Sequence, residues 1–344
     1  MHHDQEPQRP AVASRAMHGD LDFWGVRRFL VATHSMVPPA LNWDVRRWDG
    51  HRFYSADPAW NQSWAVSHRL WETERGELAG ACHPEGMQAS SPQAHLHVHF
   101  QVHPDYRDLE PEMLTWAEGL VAAAPARPAA GHGAAAPGGD TSGDANGANR
   151  SVTLSVYEYD APRQALLEQR GYAKLGTGGA ARMLRLGRQP LAQPVVPDGY
   201  VVRTVDPDDD DDCQRIADVL NAGFGRTFHT GVEFRTFTRL APCYRADLDL
   251  VAVAPDGSFA AYVGVPYDDA NGLGMFEPVC THPEHRRRGL ALGLMQEGLL
   301  RLRSIGARAA KVETGDMAPA NQLYDAVGFT ERYRVNDWRK TFAD

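Results

Sequence analysis

One stretch constrains this chain more than any other. From Glu277 to Ala291 it reads Glu-Pro-Val-Cys-Thr-His-Pro-Glu-His-Arg-Arg-Arg-Gly-Leu-Ala. The apolar run around Met275 to Cys280 predicts a strand, Pro283 turns the chain, three arginines follow, and Gly289 opens an amphipathic helix over Leu290 to Arg303. A strand feeding a glycine turn and then a helix start is suited to holding phosphate. The first turn of a helix carries unpartnered N–H groups and a partial positive charge, and a residue without a side chain lets an anion reach the backbone.

The order Arg286-Arg287-Arg288-Gly289-Leu290-Ala291 resembles the pyrophosphate signature Arg/Gln-x-x-Gly-x-Gly/Ala of the GNAT acyltransferases, which use acetyl-CoA. Farther on, Asn321-Gln-Leu-Tyr324 followed by Gly328-Phe329 is similar to that family's second motif. The resemblance spans about 198–344. It implies an α/β fold with a mixed α+β sheet, and an N-acetyltransferase that moves the acetyl group of acetyl-CoA to a primary amine by direct attack in a ternary complex. It also implies roles for residues. Arg286, Arg287, Arg288, Gly289, Leu290 and Ala291 surround the pyrophosphate. Val279, Cys280 and Thr281 line the pantetheine arm, and Asn321 and Tyr324 complete the cofactor contacts.

Amine acylation needs a base for the ammonium, donors for the developing oxyanion and an acid for the departing sulfur. Tyr324 is the candidate acid, because a phenol with an ordinary pKa near ~10 can protonate a thiolate. Glu277 is the candidate base, directly or through water; a surface carboxylate at a strand end is the plain alternative. Cys280 reads as packing rather than as a nucleophile, since free cysteine is commonly buried. His282 and His285 read as part of the solvated turn.

The two halves of the chain echo each other. His103-Pro-Asp-Tyr-Arg107 and its sequel, with Glu110 and Glu112, lie over His282-Pro-Glu-His-Arg286 with Gly289 and Ala291. Ala161-Pro-Arg-Gln164, then Leu167 and Gly171-Tyr172, lies over Ala318-Pro-Ala-Asn321, Tyr324 and Gly328-Phe329. The chain is therefore expected to hold two tandem GNAT-like domains. Residues 1–19 are expected as a disordered tail, 20–187 as a degenerate copy with a disordered Ala/Gly/Pro-rich insertion over 124–149, 188–198 as a linker and 199–344 as the catalytic copy. In the first copy two carboxylates replace the small residues that admit a pyrophosphate, so only the second is expected to bind acetyl-CoA.

A formal charge of −9 argues against nonspecific binding to nucleic acid or anionic membrane. Four scattered cysteines fit reduced thiols in a cytoplasm better than a disulfide framework. The expected partners are acetyl-CoA and an amine acceptor, a small molecule ahead of a protein amine, and a homodimer is compatible with this reading. No metal is expected. The run Asp206 to Asp212 reads as a helix start, and His95, His97 and His99, which share one strand face, have no evident acidic or thiol ligand in the sequence to complete a set. A reading of another class is a CoA-sensing or partner-binding pseudoenzyme; the intact Gly289, Ala291, Asn321 and Tyr324 speak against it.

Overall fold

The structure, a computed structural model, describes residues 9–38, 42–55, 67–85, 95–122, 150–315 and 317–342. The expected insertion at 124–149 and the first eight residues lie outside them. The first half runs β1 (Val12–Ala16), α1 (Gly19–His34), α2 (Val45–Phe53), β2 (Arg69–Thr73), β3 (Leu78–Glu85), β4 (His95–Val102), a 3-10 turn (Pro104–Leu109), α3 (Glu110–Ala122), β5 (Arg150–Tyr157), α4 (Ala161–Gln169) and β6 (Ala173–Arg185). The second repeats that plan. It runs β7 (Val201–Thr204), α5 (Asp210–Phe224), α6 (Gly231–Leu240), β8 (Asp249–Val253), β9 (Phe259–Gly264), β10 (Tyr267–Asp268), β11 (Leu273–Met275), β12 (Val279–Thr281), a 3-10 turn (Pro283–His285), α7 (Leu290–Ser304), β13 (Ala309–Thr314), α8 (Ala318–Val327) and β14 (Glu331–Phe342).

The repeated turns share their chemistry. His103 Nδ1 accepts the Asp105 N–H at 3.2 Å, and His282 Nδ1 accepts the Glu284 N–H at 3.4 Å. In both copies an imidazole caps a turn with proline at its first position.

Three sequence expectations need correction. The supposed tail contains β1, which pairs antiparallel with β2 from Val12↔Thr73 to Ala16↔Arg69. The single strand expected across Met275 to Cys280 is broken into β11 and β12, which join different sheets. In the sequence Phe329 to Val335 and Trp338 to Phe342 read as two strands; in the structure they are one strand, β14, bulged near Val335 and Asp337. The acidic run behaves as a helix start. Asp209 caps α5 by accepting the Asp211 N–H at 2.9 Å, and buried Asp212 takes Arg203 and Arg215.

The strands form a ten-stranded sheet, β1-β2-β3-β4-β5-β14-β6-β13-β11-β10, and a four-stranded one, β12-β9-β8-β7. The long sheet is built by exchange. The last strand of the second half, β14, lies against β5 of the first, and β6 of the first half lies against β13 of the second. β6 and β14 pair with each other between them. Neither half closes its own sheet.

Separate apolar clusters secure the two copies. One packs α3 and α4 on β3, β4 and β5; another packs α7 and α8 on β8, β9 and β13. Leu290, Leu294, Leu299 and Leu302 of α7 are all buried. At roughly 1.5–3 kcal/mol for each such side chain, they fix where that helix begins. The linker is packed as well: Leu191 and Val196 lie against the second cluster. A third cluster joins α1 and α2 to Met183, Phe237, Leu273 and Met275, and ties the halves together. Among the described residues no helix is long and apolar enough to cross a membrane.

Candidate functional site

The break between β11 and β12 makes the cleft. The Phe276 N–H still bonds to Lys311 O on β13 at 2.8 Å, whereas the next N–H, of Glu277, bonds to Gly264 O on β9 at 3.0 Å. From that point β12 follows β9 and leaves β13. Along β12 the Pro278 carbonyl accepts from Gly264 and the His282 N–H donates to Ala260 O, so residues 278, 280 and 282 face β9. Antiparallel pairing alternates, and Val279 and Thr281 therefore turn their backbone N–H and C=O groups the other way, into the cleft. Cys280 does not reach it. Its side chain is buried against α5, with Sγ 3.8 Å from Val219 O, and burial pushes the thiol up to about 12, which rules against a nucleophile. The sequence placed Cys280 with its neighbours along the cleft; strand alternation removes it.

The cleft ends on α7. Gly289 adopts the left-handed conformation at φ +78°, and a Cβ placed there would meet nothing within 4 Å. The space before the helix is open, and only glycine takes that backbone without cost. Arg287 is also left-handed, at φ +64°. A non-glycine residue in that region is uncommon. The first bond of α7 runs from Gly293 N–H to Gly289 O, which leaves the N–H groups of Leu290, Ala291 and Leu292 at the open end. A helix start of this kind, with unpartnered N–H groups and open space before it, is suited to an anion.

The three arginines divide their work. Arg286 Nη2 donates to Gly223 O at 2.8 Å and tethers the turn to the end of α5. Arg288 Nη1 donates to Tyr200 Oη at 2.9 Å, and its Nη2 to Glu284 O. Arg287 is exposed, and its side chain meets no partner among the described residues.

Tyr324 is buried on α8, packed edge-on against Phe329. Burial first and the Glu277 carboxylate second push its hydroxyl up to about 12, while Arg182 opposes them. Such a phenol keeps its proton throughout the neutral range, and among the described residues nothing accepts it. Glu277 is only partly covered. Arg46 Nε stands 3.7 Å from one carboxylate oxygen and Arg47 Nη2 3.9 Å from the other. Both arginines come from α2, so the first half reaches into the cleft of the second.

Asn321 is already occupied. Its Oδ1 accepts Arg182 Nη2 at 2.6 Å, and its Nδ2 donates to Gly315 O at 3.3 Å and Met317 O at 3.1 Å. No donor is left over for a cofactor. Arg182 is the residue that the sequence concealed. Fully buried on the exchanged strand β6, it also reaches Asp325 Oδ1 at 2.6 Å and the Phe329 carbonyl at 3.3 Å, and so clamps the helix that carries Tyr324.

The corresponding corner of the first half is filled. Glu110, at the start of α3 where Gly289 stands in the repeat, is buried. Its carboxylate accepts Arg107 Nε at 2.7 Å and Arg163 Nε and Nη2 at 2.9 and 3.1 Å. Asp160, also buried, takes Arg107 Nη2 at 2.8 and 3.0 Å. Burial alone would raise the Glu110 carboxyl, but Arg163 and Arg107 outweigh it and hold it low. An internal carboxylate stands where an external anion would bind. Glu112 does not join it; it accepts the Trp71 indole N–H at 2.9 Å.

A cavity of about 370 Å³ opens beside the cleft, lined by Asp44, Arg47, His97, His99, Lys311 and Glu313 among others. Arg47 connects the two spaces, since its Nη2 also lies 3.0 Å from Glu313. Burial would raise the Glu313 carboxyl, yet Lys311 and Arg47 outweigh it and hold it well below the usual carboxylate range.

Residues 214–329 match the model of the Acetyltransferase (GNAT) family, so the second half of the chain carries a GNAT domain. No curated protein sequence matches the chain. Among solved structures it is similar to a GCN5-related N-acetyltransferase from Sphaerobacter thermophilus, at 22% identity and TM-score 0.59 over 96% of this chain and 95% of that one. It is similar to a tandem GNAT protein from the clavulanic acid biosynthesis pathway, at 18% identity and TM-score 0.61 over 98% and 100%. It also resembles a region of a fungal multi-domain GH3 beta-N-acetylglucosaminidase described as a GCN5-related glucosamine N-acetyltransferase, at 14% identity and TM-score 0.52 over 96% of this chain and 38% of that one. The fold is that of two GNAT-like units in tandem, and the family of the second is one of acyl transfer from acyl-CoA.

Proposed function

We propose that the second half is an N-acetyltransferase acting on the primary amine of a small molecule, and that the first half binds no acetyl-CoA of its own. One pairing of observations supports the reading: an open glycine cradle at the start of α7, and a Tyr324 that keeps its proton through burial and the influence of the Glu277 carboxylate. Acetyl-CoA as co-substrate supplies an activated thioester. The N–H groups of residues 290–292 and the α7 dipole hold its pyrophosphate, and the cleft-facing amides of Val279 and Thr281 align its arm. Glu277 takes the proton that the amine loses as its nitrogen bonds to the acyl carbon. Tyr324 gives its proton to the sulfur as the C–S bond breaks.

The cavity beside Arg47 supports a small acceptor. Its volume is that of a metabolite pocket rather than of a groove for a folded protein surface. The buried Arg107–Glu110–Arg163 set supports a blocked first copy. The test is a panel of amines with acetyl-CoA, read by release of free thiol, alongside calorimetric counting of acetyl-CoA sites. Turnover with a small amine and one site per chain is expected. Two sites per chain, or thiol release confined to protein substrates, would overturn the reading.

A further inference from the structure

Strand register assembles a set of side chains that the linear sequence keeps apart. β3 and β4 pair antiparallel with Glu85↔His97 and His83↔His99, so Glu85, His97 and His99 lie on one face, toward the cavity. A Glu85 oxygen and one nitrogen from each of the two imidazoles lie within 4.8 Å of one another. We propose that Glu85, His97 and His99 bind a divalent metal ion of the zinc class, with its fourth position open to the cavity.

Three observations carry this. The first is spacing. The Glu85 carboxylate and His99 Nε2 are 3.2 Å apart. Two ligands held ~2.0–2.1 Å from a tetrahedral ion stand about 3.3 Å apart, so an ion can replace the proton these groups share with little movement. The second is the tautomer of His97. Ser155 Oγ donates to Asp337 Oδ1 at 2.6 Å, and a hydroxyl has one proton to give. Its contact with His97 Nε2 at 3.0 Å must therefore be an N–H donated by the imidazole. His97 thus carries its proton on Nε2, held by a fixed oxygen, and its lone pair on Nδ1. An outer oxygen holding one ring nitrogen is how metal-binding histidines are oriented. The third is the donor set. Two imidazoles and one carboxylate beside an open cavity suit a borderline divalent ion that keeps one exchangeable position. His95, at the exposed end of the same face, stays out of the set, its Nδ1 2.9 Å from Ser151 Oγ. Sequence spacing pointed to His95, His97 and His99; the missing acidic ligand is Glu85, supplied by the neighbouring strand.

The proposal does not depend on acyl transfer, and its test reads the metal alone. The full chain, stripped with a chelator, is titrated with Co²⁺ while its visible absorption is followed, and Zn²⁺ is then added as competitor. One Co²⁺ per chain with a tetrahedral spectrum, displaced by Zn²⁺, is expected. Glu85→Gln and His97→Gln should each weaken binding more than 100-fold. Ser155→Ala, which frees the His97 ring, should weaken it about 10- to 100-fold, and His95→Gln should leave it unchanged. Circular dichroism checks that each variant folds, and Zn²⁺ should raise the melting temperature of the parent chain but not of His97→Gln. Absence of Co²⁺ binding below millimolar concentration in the parent chain overturns the proposal. So does binding that survives Glu85→Gln and His97→Gln together, which would place the ion elsewhere, as at His282, Glu284 and His285.

Discussion

Replacing Tyr324 with phenylalanine isolates a single proton. The ring is buried and packs on Phe329, and its hydroxyl meets no partner among the described residues, so Tyr324→Phe keeps the packing and breaks no internal hydrogen bond. Stability should change by less than about 1 kcal/mol, because no buried group is left unpaired. Catalysis should suffer far more. A positioned acid contributes roughly 10²–10⁴ in rate, or about 3–5 kcal/mol of barrier. The loss should fall on kcat, with the KM for acetyl-CoA nearly unchanged, since the hydroxyl acts only as the C–S bond breaks. Because the hydroxyl titrates at about 12, the parent enzyme should show no basic limb from this residue below that pH. The assay is steady-state thiol release at saturating amine, run with acyl donors whose leaving thiols differ in acidity. A more acidic thiol needs less help, so its rate deficit in the variant should shrink. A kcat within threefold of the parent, or a deficit indifferent to the thiol, would refute Tyr324 as the acid.

Three further outcomes follow from the same geometry. Gly289→Glu should cost about 1–2 kcal/mol of stability for a left-handed non-glycine residue and weaken acetyl-CoA binding at least 100-fold by calorimetry, because a carboxylate would then stand in the cradle. Glu110→Ala should leave one acetyl-CoA site per chain, yet lower stability by about 3 kcal/mol in urea unfolding, since buried Arg163 would lose its two close carboxylate hydrogen bonds and keep only Asp160 at 3.6 Å. Asp249 is buried, and desolvation raises its carboxyl to about 7 although Tyr262 and Tyr244 donate to it. A carboxyl raised on folding binds more protons in the folded state, so its contribution is largest below the ordinary value of 3.8 and is lost as pH climbs to about 7. Asp249→Asn should therefore flatten the fall in stability between those pH values, and at pH 8 the variant should gain up to several kcal/mol.

The local geometry of the second half's candidate site was legible in the sequence where it depends on a few neighbouring residues. A glycine in a left-handed turn, a proline-led 3-10 turn and a Tyr three residues after Asn each announce themselves within a few positions. So did the repeat, because the same turn recurs with Glu110 where Gly289 stands. What depends on register was hidden. Nothing near β6 or β14 says which strand each will join, because pairing across the two halves is set by tertiary register. Arg182, 139 positions before Asn321, accordingly carries no local sign that it clamps α8. Glu85 escaped for the same reason, since hydrogen bonding across β3 and β4 and not sequence spacing brings it to His97. Cys280 was misplaced beside the cleft because alternation along β12 becomes visible only once the partner strand is known.

The interchange of β6 and β14 has a price in modularity. Expressed alone, residues 199–344 would keep every motif of the GNAT-like second half and still lack the strand that covers β13, leaving a bare edge open to aggregation. They would also lack Arg182, which grips Asn321 from 139 positions upstream. The first half is thus a structural support that the second cannot shed.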